Sequence, residues 1–407
     1  MEWLAYVYLA YMFVSIYFLS FFLLSYFRNR KNIFESPELK KHFSVSVLIP
    51  AYNEEDSIKA TVDSVFESDY NNIVEVIVIN DGSKDRTAEI VKDLKKKYSK
   101  LILIDKKNSG KGDSLNHGIK IARGELIAVV DSDSFPDKDA IRKCVGFFEN
   151  ERVGAATVPI LSRNKGKFFE KLQSIEYSVI ALTRKLLEGV DGIYVTPGPL
   201  ALYRKTALKE IGGFDSTNLT EDIEITWHLT KAGWQRKMCL NTKVTTIVPD
   251  KIRAWFRQRQ RWSMGGMQTI LKYKKEFLKK GMVGFFILPF FLLSTFMGLV
   301  GLGVFSYLVI SRFIREYLIV KYSIISSTSI ISLNDLYFNP SILNYLGFVL
   351  FIMGTIFTFL ILILMKEDIF RKDNFFSILF YLIVYMAIYP FILITAMFKL
   401  IRRDMSW

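Results

Sequence analysis

Between Trp3 and Phe27 the chain carries no charged residue, and this stretch limits its fold more than any other. About 20 apolar residues suffice for a helix to cross a bilayer, so this apolar and aromatic run predicts one membrane-spanning helix. No basic segment precedes it and no small-residue cleavage site comes after it, which is the pattern of an uncleaved anchor. Arg28, Arg30 and Lys31 come next, then Lys40 and Lys41. By the positive-inside rule the amino terminus lies outside and the part after residue 28 lies in the cytoplasm. Three further apolar runs, 282–310 with Pro289 and glycines inside it, 342–365 and 375–400, are each long enough to span. Four spans are therefore expected, although Arg402 and Arg403 would then end outside. A fifth span through 317–333 would return them, but it contains Lys321 and several serines.

The two ends, 1–27 and 282–407, hold nine Lys/Arg against seven Asp/Glu, so +12 of the formal charge of +14 falls on residues 28–281. That middle piece is the expected cytoplasmic domain. Such a balance suits an anionic substrate or the anionic face of a membrane, and no nucleic-acid motif accompanies it. Cys144 and Cys239 are the chain's two cysteines and read as reduced, packed thiols.

Within the basic piece, strands and helices alternate. Apolar runs at 44–49, 74–79, 101–104, 126–130 and 153–158 read as strands, most of them leading through a turn into a helical stretch. This predicts an α/β fold with a mostly parallel sheet. Ligands in such sheets bind beyond the carboxyl ends of the strands, which singles out the residues just past each strand end. After the first, Tyr52 can stack on a base and Glu54 can accept a hydrogen bond from one. After the second, Asp81 opens Asp-Gly-Ser; it can face a base or ribose, or be an ordinary Asp-Gly turn. The loop Asn108–Ser114 places Lys111 between two glycines at a helix start, suited to a diphosphate though not spaced as a Walker loop. After the strand Leu126–Val130 come Asp131 and Asp133. Two carboxylates one residue apart suit a hard cation such as Mg2+ shared with phosphate oxygens; alternatively Asp131 is a turn residue and Asp133 a helix N-cap. Pro136 is expected to start the next helix.

The second half carries a different set. The stretch 167–188 has apolar residues at helical spacing with basic ones between, as an interfacial helix or an ordinary packed one. Thr196–Arg204 contains Pro197-Gly198-Pro199, a rigid turn where backbone can approach a ligand. Thr220 is an expected N-cap and Asp222 falls in the first turn after it, which explains both structurally; Asp222 is also the candidate base for a sugar hydroxyl. In the helical stretch 252–272, Gln258, Arg261 and Trp262 share one face. Arg261 can neutralise a diphosphate leaving group and Trp262 can underlie a sugar ring, or the segment is a basic juxtamembrane belt.

Asn80-Asp81-Gly82, Asp131-x-Asp133, Thr220-Glu221-Asp222 and Gln258-x-x-Arg261-Trp262, in that order, resemble the membrane-embedded processive family 2 glycosyltransferases. That group includes cellulose, hyaluronan, chitin and poly-N-acetylglucosamine synthases. The resemblance covers about residues 44–270. It implies a GT-A fold flanked by transmembrane helices, a UDP-sugar donor, Mg2+ or Mn2+ on Asp131 and Asp133, and inversion at the anomeric carbon. It further implies that Tyr52, Glu54, Asp81, Lys111, Asp131, Asp133 and Arg261 hold the nucleotide and that Asp222 is the general base. Gly198, Pro199, Glu221, Gln258 and Trp262 would bind the acceptor. The Thr-Glu-Asp wording leans toward the poly-N-acetylglucosamine and cellulose synthases, and so toward N-acetylglucosamine or glucose as the sugar, while the Gln-x-x-Arg-Trp motif favours a growing polysaccharide over a lipid as the acceptor. The implied partners are the UDP-sugar, that glycan or a lipid-linked acceptor, membrane lipid and an accessory membrane subunit, with no nucleic acid. Only one helix precedes the domain and no regulatory extension comes after the membrane part, so the resemblance does not carry over a full translocation channel or an allosteric switch. Two other readings stay open: a non-processive enzyme with a polyprenyl phosphate or diacylglycerol acceptor, and a non-catalytic scaffold or transporter with a nucleotide-sensing domain. No spanning run has a charge pair that would mark an ion path.

Overall fold

The computed structural model describes residues 2–327, 342–367 and 372–402. The N-terminal apolar run forms α1 (Glu2–Asn29). Four parallel strands come next, β1 (Val45–Ala51), β2 (Ile73–Asp81), β3 (Leu101–Lys106) and β4 (Leu126–Val129), joined by α2 (Ile58–Phe66), α3 (Thr87–Lys97) and α4 (Lys111–Ile121). Then come β5 (Ser134–Pro136), α5 (Ala140–Val145), β6 (Val153–Thr157), β7 (Ile160–Ser162), α6 (Phe168–Glu188), β8 (Ala201–Arg204), α7 (Lys205–Glu210) and α8 (Glu221–Lys231). β9 (Gln235–Met238), β10 (Val244–Thr246) and α9 (Ile252–Tyr273) complete the domain. The large sheet runs β3-β2-β1-β4-β8-β6-β9, with β8 antiparallel to both its neighbours.

The central strands are continuous apolar runs because both faces of the sheet are covered. Val45, Val47 and Ile49 of β1 point into one core with Val76, Val78 and Ala128, under α2, α3 and α5. Leu48 points the other way, joining Ile77, Ile79, Ile127 and Val129 under α4, α7 and α8. Cys144 and Cys239 are free and buried.

Pro136 does not start a helix. The chain leaves the sheet after Val129, turns through Ser132 and Asp133, and re-enters as β5, antiparallel to β10 in a small β5-β10-β7 sheet. A proline at a strand end removes little from such a ladder. The next helix begins four residues on, at Ala140, with Asp139 in the N-cap position, so Asp133 is not a helix cap.

Among the described residues three helices are long and apolar enough to cross a membrane, 4–29, 283–325 and 347–364, and a bent pair makes a fourth if counted as one span. α10 (Leu288–Ile325), entered through a π turn over Val283–Ile287, runs well past the expected end at 310. The weak run 317–333 is therefore not a separate helix: its first nine residues continue α10, and 328–333 lie outside the described residues. α11 (Ile342–Leu364) comes after it. The last run breaks into α12 (Lys372–Phe380), a π turn over Tyr381–Tyr385 and α13 (Met386–Ile401), bent by 45°. It packs on the domain, where Tyr381 and Tyr385 bury against Leu172 and Ile175 of α6 and Trp255 of α9. α6 is thus a packed helix, buried along much of its length between the sheet domain and the apolar helices.

Thr220 takes the N-cap position of α8, but its side chain makes no capping bond. It is pressed against α9: a Cβ on Gly265 would lie 2.1 Å from Thr220 Oγ1. We expect Gly265→Ala to destabilise the protein by about 1–3 kcal/mol, because overpacking exceeds the gain of about 1 kcal/mol that alanine brings to a helix. Gly266→Ala, with open space at its Cβ, should be neutral or stabilising. Thermal unfolding of the two variants in detergent decides the comparison.

Candidate active site

The parallel register places Ala51 beside Asn80, and Asp81 beside Lys106, so the loops after β1, β2 and β3 share one sheet edge. The first two are laced together: Asn53 N–H donates to Ser83 Oγ at 2.9 Å, Glu54 N–H to Thr87 Oγ1 at 2.8 Å and Lys84 N–H to Asn53 Oδ1 at 2.8 Å. Asp81 is buried, accepting from the N–H groups of Ser109 and Gly110 at 3.0 and 2.9 Å and pairing with Lys106 Nζ at 2.5 Å. Gly110, at φ +96°, lets the backbone turn into that contact and start α4 at Lys111. Asp131 N–H donates to Gly198 O at 3.1 Å, and Thr61 Oγ1 holds Ser132 O at 2.7 Å. The aspartate loop is thereby fixed from both sides.

A cavity of about 280 Å3 opens beside this edge, lined by Lys111, Asp131, Asp133, Pro199, Glu221, Asp222, Gln258, Arg261 and Trp262 together with residues of α6 and the 194–199 segment. Six segments distant in sequence thus meet in one place. Lys111 Nζ sits between Asp131 Oδ1 at 2.6 Å and Glu221 Oε1 at 2.7 Å. Gly198 is set immediately behind, since a Cβ there would fall 2.5 Å from Lys111 Nζ and 2.6 Å from Asp131 Oδ1. Tyr52, Glu54 and Asp81 do not line this cavity; they occupy the adjoining loops, with Tyr52 exposed. Glu54 bonds Ser57 Oγ at 2.6 Å and is close enough to Asp131 and Asp133 for their charges to act on it.

The crowded carboxylates are not equivalent. Burial would raise Glu221, but the Lys111 ammonium outweighs it and holds the carboxyl below its ordinary range. Asp222 is pushed up to about 6, first by burial and then by neighbouring Glu221, against the pull of Lys111. Burial and then Asp131 raise Asp133. Burial opposes the charge of Lys111 too, yet Asp131, Glu221 and Asp222 raise its pKa overall. Glu221 is held firmly ionised while Asp222 has its pKa brought toward neutral pH, which is how a site divides roles between like groups.

Residues 46–212 match the family described as Glycosyl transferase family 2. The chain carries a family 2 glycosyltransferase domain. It is 34% identical over 246 residues to a poly-β-1,6-N-acetyl-D-glucosamine synthase from Staphylococcus epidermidis, covering 60% of each chain. A Staphylococcus aureus protein of the same name is 31% identical over 246 residues, 60% of this chain and 59% of the other. The match thus spans about 60% of the length of these curated relatives. Among solved structures, a mannosyltransferase from Pyrobaculum calidifontis, in complex with GDP-Man and Mn2+, superposes with a TM-score of 0.61 at 17% identity over 98% of this chain and 99% of the other. The glycosyltransferase domain has the GT-A fold, and the apolar helices make the chain a membrane protein.

The aspartate pair of the glycosyltransferase domain fits a hard cation. Asp131 Oδ1 is buried and accepts no well-aligned hydrogen bond; the Lys111 ammonium beside it is its compensation. Among the described residues no third His, Cys, Asp or Glu is grouped with the pair to hold a metal, so the remaining ligands would be phosphate oxygens and water, as Mg2+ prefers.

Beneath the cavity lies a layer that sequence reasoning missed. Arg259, between Gln258 and Arg261, turns inward to pair with Glu176 of α6, both buried, and donates to Gln258 Oε1. Its guanidinium also lies 4.3 Å from the centre of the Trp262 ring. Glu176 in turn accepts from Tyr385 at 2.7 Å and from Tyr389, and Trp255 Nε1 donates to Tyr385 Oη at 2.5 Å. Gln258 and Trp262 are therefore oriented from the membrane side. We expect Glu176→Leu, which strands the Arg259 cation, to cost about 3–5 kcal/mol. The double variant Glu176→Leu/Arg259→Met should recover most of that loss in thermal unfolding while leaving transfer activity impaired, because Gln258 and Trp262 lose their support.

Proposed function

We propose that the protein is an inverting glycosyltransferase moving a hexose or N-acetylhexosamine, with N-acetylglucosamine favoured, from a UDP-sugar to a hydroxyl of a growing polysaccharide. The catalytic domain lies at the cytoplasmic face of the cell membrane and the amino terminus outside. The observation that carries this reading is the convergence of Asp131, Asp133, Lys111, Asp222, Arg261 and Trp262 on one cavity. The names of the relatives support the choice of sugar.

Asp131 and Asp133 would hold a divalent cation, whose charge would favour departure of the diphosphate. Asp222 takes the proton of the acceptor hydroxyl. That oxygen attacks the anomeric carbon from the face opposite the diphosphate, the bond to the diphosphate oxygen breaks, and UDP leaves with its electron pair. Arg261 supports the developing charge on UDP, while Trp262 and Gln258 orient the acceptor. Tyr52, Glu54 and Asp81 form the nucleoside end. Asp81 acts through the loop it organises, since its carboxylate already serves Lys106 and two backbone N–H groups.

With radiolabelled UDP-N-acetylglucosamine and purified protein in lipid, Asp222→Asn should lower transfer by about 10²–10⁴-fold while UDP affinity stays within a few-fold. A fully active variant would remove Asp222 as the base. Only the ionised carboxylate accepts a proton, so activity should rise with pH through about 6. Glu221→Gln removes a neighbouring negative charge, lowers the pKa of Asp222 and should move that acidic limb to lower pH. A limb that stays in place would assign it to another group.

A further inference from the structure

Among the described residues, one cation in the cavity wall has no partner. Tyr177, Ile180, Ala181 and Arg184 of α6 recur at helical spacing and present one face to the cavity. Arg184 is 6% exposed, its Nε makes no hydrogen bond, and among the described residues no hydrogen bond or ion pair engages the guanidinium. Burial lowers its pKa, with Tyr194 and Asp222 close enough to offset part of that effect. A buried, unpaired guanidinium is costly and is retained where a ligand completes it. Asp222 stands in the same wall, so a group bound by Arg184 is held beside the carboxylate that takes the acceptor's proton.

Arginine donates and never accepts, so the ligand must present acceptor oxygens. The charge of the wall selects which kind. The lining carboxylates Asp131, Asp133, Glu221 and Asp222 face Lys111, Arg184 and Arg261, which leaves one formal negative charge with Asp222 ionised. A divalent cation and the two charges of a UDP-sugar cancel and leave that balance unchanged. A further anion would meet a wall already negative, whereas hydroxyl, ring or acetamide oxygens would not. Tyr177, Tyr194, Ile180 and Pro197 around it supply the apolar surface on which the faces of a sugar rest.

We propose that Arg184 anchors the terminal sugar of the acceptor, and that this acceptor is a neutral carbohydrate and not a phosphate-headed lipid. The proposal rests on the glycosyl-transfer reading above.

The test uses full-length protein in lipid with UDP-N-acetylglucosamine as donor and, in separate arms, a short neutral N-acetylglucosamine oligosaccharide or a polyprenyl phosphate as acceptor. Arg184→Gln should raise the KM for the oligosaccharide about tenfold or more, with UDP affinity changed less than twofold. Arg184→Met should unfold at a higher temperature than the parent without ligand, because an unpaired buried charge is gone. The oligosaccharide should raise the unfolding temperature of the parent and not that of Arg184→Met. An unchanged KM, an equal loss of UDP affinity, a lower unfolding temperature for Arg184→Met, or transfer to the polyprenyl phosphate alone would each overturn the assignment. Transfer to neither acceptor by the parent protein would instead remove the glycosyl-transfer reading itself.

Discussion

The ammonium of Lys111, lodged between Asp131 and Glu221 at 2.6 and 2.7 Å, is the contact on which the site depends. It starts α4, so it belongs to the parallel half of the sheet, while Glu221 starts α8 on the far side of the antiparallel strand β8. Four lining carboxylates brought this close would in part protonate in a low-dielectric wall. The lysine decides which of them does not: Glu221 is held ionised, and Asp222, one residue along the same helix, bears the repulsion. Gly198 makes the arrangement sterically feasible, since no side chain fits where its Cβ would meet both partners.

A second buried charge ties this site to the bilayer part. Arg259 turns its back on the cavity while its neighbours Gln258 and Arg261 line it. The helix face that enters the cavity and the face that meets Glu176, Tyr385 and Tyr389 are thus neighbouring faces of one element, joined through the contacts of Arg259 with Gln258 and Trp262. Ion pairs of this kind contribute little net stability compared with apolar packing, and their value lies in selecting one geometry. Here the selected geometry is the orientation of α9 between α6 and the broken final helix.

Much of the sheet was legible from the chain because its signals are local: β-branched runs closed by Asp, Gly or Pro announce strands and the edge where a ligand sits. Asp131, Asp133, Asp222 and Arg261 stood out for the same reason. Pro136 misled because whether a proline begins a helix or ends a short strand depends on β10, more than a hundred residues away. Lys106 escaped because β3 was expected to end at 104, two residues short of the position paired with Asp81. Arg184, Glu176 and Arg259 did not stand out, because basic residues between apolar ones in 167–188 and 252–272 fit an interfacial helix or a juxtamembrane belt as well as a packed one. Only the packing of α6 and α9 against the apolar helices turns these residues inward. The break in the last span likewise goes with its packing on α6 and α9, which hydropathy does not show.

The pKa of Asp222 shows how these layers meet in one atom's chemistry. A carboxyl at about 6 accepts a proton on the order of a hundredfold more readily than an ordinary aspartate, yet stays about nine-tenths ionised at pH 7. Folding is disfavoured by that rise. A carboxyl whose pKa is higher in the folded state contributes most stability in acid and loses it as pH climbs through the folded value, so the ionised base costs the fold up to a few kcal/mol at neutral pH. Glu221 runs in the opposite sense, its lowered pKa adding stability above the ordinary carboxylate range through Lys111. The strained base and the relaxed neighbour are adjacent residues of one helix start, so the fold places a stabilising charge beside a destabilising one and keeps the latter facing the cavity. Removing the ion pair to relieve the crowding would also remove what keeps Asp222 from rising further.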